Sequence, residues 1–344
     1  AAVSRSWRSI KTYKEIINIP RVIPVHPDVE ISAICDKDGK AFKNIDSDVK
    51  LFSNYTQLLD VPLDIVFVCL PNYLSPEVAI ASLTNGCHVF CEKPPGRDVN
   101  DINRVMEIEK NFSHLKLMYG FNHRHHYSVK DAIQIVESGE LGRVINLRGL
   151  YGKSKLLNFA MDWRTQRKFS GGGILLDQGI HMVDLLRLFG GEFVEIYSFV
   201  SNDYWNHDVE DNALAIMRSG KGVVATLHST ATEWRHRFRL EIGLEKGSII
   251  LSGLLTSTKS YGAETLTVAY KSDDEHGDPK EKTIRYNYDP SWEDEVNEFA
   301  KAIVEDSPII SGTPEDAYKT MELVYRIYCA DPIWKKKYNL SYDE

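Results

Sequence analysis

Apolar residues first recur as a helical stripe: Trp7, Ile10, Tyr13 and Ile17 come at three- to four-residue spacing ahead of Pro20, which predicts an amphipathic helix. Strand-length apolar runs then alternate with helical patterns. Glu30-Ile31-Ser32-Ala33-Ile34-Cys35 predicts a strand ending at Asp36. Asp64-Ile65-Val66-Phe67-Val68-Cys69-Leu70 is almost continuously apolar, as a strand covered on both faces should be, and it stops at Pro71-Asn72. Pro76 to Asn85 fits a helix with proline in its first turn and Gly86 past its end. A strand over Cys87 to Cys91, the tripeptide Glu92-Lys93-Pro94, a helix from about Asn100 to Lys110 and a strand over Lys116 to Phe121 continue the rhythm. Such alternation predicts a doubly wound α/β unit on a parallel sheet.

Beyond residue 122 the pattern changes to longer alternating strands joined by tight turns. Ala213–Arg218 and Gly222–Ser229 flank Ser219-Gly220-Lys221, and Arg239–Leu244 and Ser248–Leu251 flank Glu245-Lys246-Gly247; both read as antiparallel hairpins. Lys271 to Lys282 is polar and reads as an exposed hairpin loop. Helical patterns over Trp292–Val304 and Pro314–Tyr328 follow. The expected organisation is therefore a doubly wound domain over 1–121 and an α+β domain over 122–344. The second would rest on a large, mostly antiparallel, open-faced sheet, its C-terminal helices free to pack back on the first.

Composition narrows the function classes. With 344 residues, two domains are the better expectation than one core. The net charge of −8 and the absence of a basic stripe argue against nucleic acid as the partner. No run approaches the roughly 18 apolar residues of a membrane span. The opening residues carry Arg5 and Arg8 with no apolar segment between them, so no signal peptide is expected. Cys35, Cys69, Cys87, Cys91 and Cys329 are odd in number and mostly lie in apolar runs, which predicts reduced, buried thiols in a cytoplasmic protein. Within one strand Cys87 and Cys91 would stand about 13 Å apart, too far for a disulfide.

In doubly wound sheets ligands sit beyond the carboxyl ends of the strands. Asp36 follows one such strand, where a carboxylate can accept from the 2′- and 3′-hydroxyls of an adenosine ribose and repel a 2′-phosphate; a turn residue or helix cap is the plainer role for the same residue. Leu70-Pro71-Asn72 and Glu92-Lys93-Pro94 end two further strands and complete a rim with it.

Glu92-Lys93-Pro94, then Gly120-Phe121-Asn122-His123-Arg124, then Gly171-Gly172-Gly173-Ile174-Leu175-Leu176-Asp177-Gln178-Gly179-Ile180-His181-Met182-Val183-Asp184, then Val209-Glu210-Asp211-Asn212 occur in this order. The ordered set resembles the glucose-fructose oxidoreductase, inositol dehydrogenase and rhizopine-catabolism (Gfo/Idh/MocA) superfamily over nearly the whole chain. Asn122-His123-Arg124-His125-His126 and Glu233-Trp234-Arg235 are also similar to members from sugar-nucleotide and surface-polysaccharide gene clusters. The resemblance implies an N-terminal Rossmann domain and an NAD(P)-dependent dehydrogenase, hydride passing between NAD(H) and a secondary hydroxyl of a sugar, sugar nucleotide or cyclitol. It implies a homodimer or homotetramer, and a cofactor held by Asp36, Leu70, Pro71, Asn72, Glu92, Lys93 and Asn122, with NAD favoured over NADP by Asp36. It also implies a cis bond between Lys93 and Pro94.

Oxidising a carbinol needs a base for the hydroxyl proton and a donor to hold the oxygen as it becomes a carbonyl. His181 suits the base role, since an imidazole titrates near working pH. Asp177 stands four residues earlier, on the same face of a helix, where it would orient the ring. Lys93 would donate to the substrate oxygen. A helix-start acid and a core histidine are the plain alternatives for Asp177 and His181. Arg124, Trp163, Arg164, Trp234 and Arg235 are candidate substrate-binding residues, the arginines for an anion and the tryptophans for a sugar face; each alone is equally a surface cation or core aromatic. His123, His125 and His126 have no acidic or cysteine partner at ligand spacing, and no metal is expected. Asp211 and Asn212 read as structural.

The departure from the family lies at the start, where members carry a strand and a Gly-x-Gly-x-x-Gly turn for the pyrophosphate. The sequence has neither before Asp36. A natural N-terminal segment of about 10–20 residues missing from this chain is one explanation; loss of the dinucleotide site, leaving a non-catalytic sugar- or NAD-sensing protein, is the other.

Overall fold

The computed structural model describes residues 2–4, 29–38, 48–153, 163–256, 261–272 and 279–342. The helix expected around Trp7 to Ile17 lies outside the described residues, as does part of the loop expected over Lys271 to Lys282.

The first part of the chain runs β1 (Ala2–Ser4), β2 (Glu30–Cys35), β3 (Lys50–Phe52), α1 (Tyr55–Leu59), β4 (Ile65–Val68), α2 (Ser75–Thr84), β5 (His88–Glu92), α3 (Val99–Glu109) and β6 (Leu117–Gly120). Its six-stranded sheet has the order β3-β2-β1-β4-β5-β6. β2 pairs in parallel with β3, β4 with β5 and β5 with β6. All four residues of β4 are buried, as its unbroken apolar run requires. Caps fix the helices between: Asn54 accepts from the Thr56 amide at α1, Asp98 accepts from the Asp101 amide at α3, and α2 carries Pro76 in its first turn.

The place between β2 and β4, where the family's opening strand would belong, is filled. Ala2–Ser4 lies there antiparallel to both neighbours. The facing edges of β2 and β4 present amides and carbonyls that need partners, and the chain's opening residues supply them in the opposite direction to the other strands.

The next part runs α4 (Tyr127–Glu137), β7 (Val144–Gly152), α5 (Arg167–Ser170), a π-helical turn over Leu175–Gly179, α6 (Ile180–Gly190), and strands β8 (Phe193–Ser201), β9 (Asn212–Ser219), β10 (Val224–Thr230), β11 (Arg237–Leu244), β12 (Gly247–Ser252), β13 (Glu264–Tyr270) and β14 (Lys280–Tyr286). The eight strands form one sheet in the order β14-β13-β12-β11-β7-β10-β9-β8. Every neighbouring pair is antiparallel except β10 and β7. Both expected hairpins, β9–β10 and β11–β12, are present.

α6 packs on β7 and β10 and α4 on β12 and β13. Two glycines permit the first contact: a Cβ on Gly149 would stand 2.7 Å from Met182, and one on Gly179 would stand 2.4 Å from the Ser229 hydroxyl. The opposite face exposes alternate residues of β8 and β9, among them Tyr197, Phe199, Leu214 and Ile216.

Three helices close the chain: α7 (Ser291–Val304), α8 (Pro314–Ala330) and α9 (Pro332–Lys337). The chain divides into two compact units, Ala1–Asn122 with Trp292–Tyr318, and His123–Ser291 with Lys319–Glu344. Trp292–Tyr318, placed by sequence in the second domain, is thus part of the first unit. Phe299 of α7 explains it, packing 6.1 Å from Phe67 of β4 and 5.6 Å from Phe90 of β5, with those two rings 5.3 Å apart. Among the described residues no helix is long and apolar enough to cross a membrane. All five cysteines are free, but only Cys87 and Cys91 are fully buried; Cys35, Cys69 and Cys329 are half-buried, a correction to the expectation that all are core thiols.

Candidate active site

In the first unit the expected cofactor residues stand directly after strands. Asp36 follows β2; its amide donates to the Phe52 carbonyl at 3.0 Å, and its Oδ1 accepts from the Asp38 amide at 2.8 Å. The residue therefore does close a turn, the plainer of its two readings, while remaining partly accessible at the strand end. Leu70 and Pro71 follow β4, and their carbonyls accept from Ser75 Oγ, which ties the start of α2 to the strand end. Asn72 is buried beside them.

Glu92 is the last residue of β5 and pairs across to Gly120 of β6. A Cβ on Gly120 would stand 3.2 Å from Glu92 Oε2, so glycine there makes room for the carboxyl. Burial pushes Glu92 up to about 7, against the pull of the Lys93 ammonium. The Lys93–Pro94 bond is cis, as the resemblance implied. Asn122 is buried and opens the short helical turn after β6. These strand-end groups fit the ribose and nicotinamide ends of a dinucleotide: an acid for ribose hydroxyls, neutral amides on the rim and one cation.

In the second unit the glycine-rich segment is shaped by one buried acid. Glu210 Oε2 accepts from the Gly173 amide at 2.7 Å, and its Oε1 accepts from the Leu175 amide at 3.0 Å and from Tyr328 Oη at 2.6 Å. A Cβ on Gly173 would stand 2.1 Å from the Glu210 carbonyl oxygen, and Gly171 has φ +81°, so a side chain at either position is strained. Burial raises the Glu210 pKa, with the Tyr328 hydrogen bond opposing. The π-helical turn that follows widens the helix where Asp177 sits, a distortion common at functional sites. Asp177 Oδ2 accepts from Gln178 Nε2 at 3.1 Å, and its Oδ1 lies 3.8 Å from Arg164 Nε.

His181 is buried in the first turn of α6, and its ring stacks on that of His123, centroids 3.7 Å apart and planes 11° from parallel. His123 Nε2 lies 3.3 Å from Tyr151 Oη, and that hydroxyl donates to Gln178 Oε1 at 3.5 Å. Burial holds the Tyr151 phenol well above its ordinary pKa, helped by neighbouring Tyr261. His181, His123, Tyr151, Gln178 and Asp177 thus form one continuous cluster.

Arg124 is not available to a substrate anion. Its Nε and Nη2 donate to both oxygens of Asp184 at 2.8 and 2.6 Å, and both side chains are buried. The fork that suggested carboxylate or phosphate binding is taken up by a carboxylate of the protein's own, which corrects its assignment as a substrate residue. Thr320 Oγ1 also donates to Asp184, and to it comes Arg187 Nη1 at 2.8 Å. The Arg164 guanidinium lies over the Trp163 ring at 4.4 Å, next to Asp177. Trp234, with φ 57°, is 58% exposed and packs edge-on against Tyr204 at 4.8 Å; Arg235 is exposed.

The histidine run has an acidic partner far outside ligand spacing. His126 Nδ1 lies 2.9 Å from Glu264 Oε2, and that carboxylate accepts from the Ser128 and Leu255 amides. Burial alone would raise Glu264, but the His126 bond and the two amides outweigh it and hold the carboxyl below its ordinary value. The partner is 138 residues away, which no spacing rule reaches. Asp211 Oδ2 accepts from the Tyr204 and Trp205 amides, a loop-shaping role. Tyr151 and Gln178 were missed by sequence reasoning; only their neighbours in the fold give them meaning.

Residues 18–121 match the oxidoreductase family with an NAD-binding Rossmann fold, and residues 129–250 match the GFO/IDH/MocA C-terminal domain. The chain belongs to the GFO/IDH/MocA family. Among curated relatives it is 31% identical to levoglucosan dehydrogenase of Pseudarthrobacter phenanthrenivorans over 49% of this chain and 45% of that protein. It is 26% identical to myo-inositol 2-dehydrogenase of Thermotoga maritima over 80% of each. The match spans about half the length of several curated relatives, levoglucosan dehydrogenase included. A solved levoglucosan dehydrogenase in complex with NADH and levoglucosan has the same fold, with a TM-score of 0.77 at 23% identity over 87% of this chain and 88% of that one.

Proposed function

We propose that this GFO/IDH/MocA member is an NAD(H)-dependent dehydrogenase acting on a secondary hydroxyl of a sugar, sugar nucleotide or cyclitol. The observation that carries the reading is the family match over both parts of the chain, with Lys93 at a strand end in one and His181 on the glycine-shaped helix in the other. Relatives named for levoglucosan and myo-inositol support that substrate class.

NAD, when bound, takes or gives the hydride. Asp36 accepts from the ribose hydroxyls and disfavours a 2′-phosphate, while Asn72, Glu92 and Asn122 line the rim. Lys93 donates to the alcohol oxygen and lowers the pKa of that hydroxyl. His181 accepts the hydroxyl proton, and Asp177 with Gln178 and Tyr151 fixes the polar wall around the histidines. Trp163 and Arg164 contact the sugar beside Asp177; Trp234 and Arg235 contribute from the exposed loop after β10.

The open face of the large sheet is proposed to pair with a second copy. Two apolar rows, Phe199 with Leu214 and Tyr197 with Ile216, lie in register across β8 and β9 and run on to Arg148, Arg239 and Glu241. Exposed apolar patches of this kind mark association surfaces, and Phe199→Glu should yield monomers by sedimentation. The free cysteines fit a reducing compartment such as the cytoplasm.

The test is turnover by the protein supplied with NAD and a panel of anhydrosugars, uronic acids, nucleotide sugars and cyclitols, read at the reduced-nicotinamide absorbance band. Reduction by at least one substrate supports the reading, and His181→Ala should lower that turnover by roughly 10²–10⁴. Tight NAD binding with no turnover on any substrate would favour the sensing protein instead.

A further inference from the structure

The His123–His181 stack has no part in hydride transfer itself, yet it sits on the proposed base. Both rings are buried, at 6% and 3% exposure. They lie 3.7 Å apart and nearly parallel. Their backbones are tied together one residue beyond His123 and one helical turn beyond His181, through the Arg124–Asp184 pair. The rings therefore cannot slide apart to relieve a repulsion, and burial denies them the solvent that would screen it.

We infer that His123 is a positioning residue that shares a single proton with His181 and so keeps the catalytic imidazole in its proton-accepting form at low pH. A first proton placed on either ring opposes a second on its neighbour, so the two titrate as a coupled pair with separated steps. While the pair carries one proton, part of the population holds it on His123, and His181 in those molecules remains a base. A lone His181 would lose all its basic form across the same range.

Tyr151, Asp184, His126 and Phe238 do not cancel this coupling. Tyr151, which meets His123 Nε2, is a phenol held neutral by burial. Asp184, on the same helix as His181, is balanced by Arg124. His126, whose ring lies 5.5 Å from His123, is paired with Glu264. Phe238, at 5.9 Å from His123, is apolar. Asp177 connects to His123 through Gln178 and Tyr151.

The inference rests on His181 being the base, and the test separates the two. Histidine-selective NMR titration of the chain without substrate reads the imidazoles directly, with His123→Phe and His181→Phe to assign them. In the wild type the pair should take up one proton between about pH 8 and 5, the second entering well below the ordinary imidazole range. In His123→Phe, which keeps a flat ring in the stack, His181 should complete one full step at a higher midpoint. The acid limb of kcat/KM should then move up by about half a pH unit or more, and His123→Gln should give the same direction. Two independent protonations near the ordinary value in the wild type overturn the inference, whatever the variants do. Coupled titration together with unimpaired turnover of His181→Ala upholds the shared proton and instead removes His181 as the base.

Discussion

The two units build their chemistry in opposite ways. In the first, every candidate residue stands at the end of a strand: Asp36 after β2, Asn72 after β4, Lys93 after β5, Asn122 after β6. Position along the chain and position in the sheet coincide, because a parallel sheet delivers its strand ends to one edge. In the second, the cluster around His181 is gathered from residues 123, 151, 178 and 184, and its glycine segment is held by Glu210. The difference teaches where damage should spread. A change on the rim alters ligand binding and leaves the fold standing; a change in the gathered cluster unsettles the fold as well.

The sharpest break of this comparison is Arg124→Ala. It leaves Asp184 buried without its ion partner and should cost about 3–5 kcal/mol in urea unfolding, whereas Lys93→Ala on the rim should leave the unfolding midpoint nearly unchanged while abolishing most turnover. Gly173→Ala comes next: its methyl would meet the Glu210 carbonyl, and a loss of about 3 kcal/mol is expected, the upper end for overpacking. Glu92 sharpens the comparison through pH. Its folded pKa of about 7 lies above the ordinary 4.5, so the folded state holds a proton that the unfolded state releases. Stability should therefore fall as pH rises from 4.5 towards 7, and Glu92→Gln should flatten that fall in thermal melts. The smallest effect belongs to Asp36→Ala, which should raise the KM for NAD several-fold, lessen the preference over NADP and shift the melting temperature little.

How much of this was legible follows from the same contrast. Glu30–Cys35 was read residue for residue, and the ends of β4, β5 and β6 to within two residues, because apolar runs and their breakers are local. Asp177 and His181 were singled out through an ordered motif. The stack of His123 on His181 was not, since a histidine after a strand carries no mark of what it will face. Arg124 was misread for the same reason: a guanidinium announces that it wants an anion, but only the fold shows that Asp184 already supplies one. β1 defied expectation because the need of β2 and β4 for a backbone partner is a property of the sheet, invisible in the composition of Ala2–Ser4.

The central claim is hydride transfer from a ring carbon to nicotinamide. It is tested most directly by supplying the protein with NAD and ring-deuterated sugars, and finding the label by mass spectrometry. The account predicts deuterium in the reduced nicotinamide, with its rate of appearance cut sharply in both Lys93→Ala and His181→Ala. Unlabelled cofactor throughout, with the sugars bound but unchanged, would contradict it.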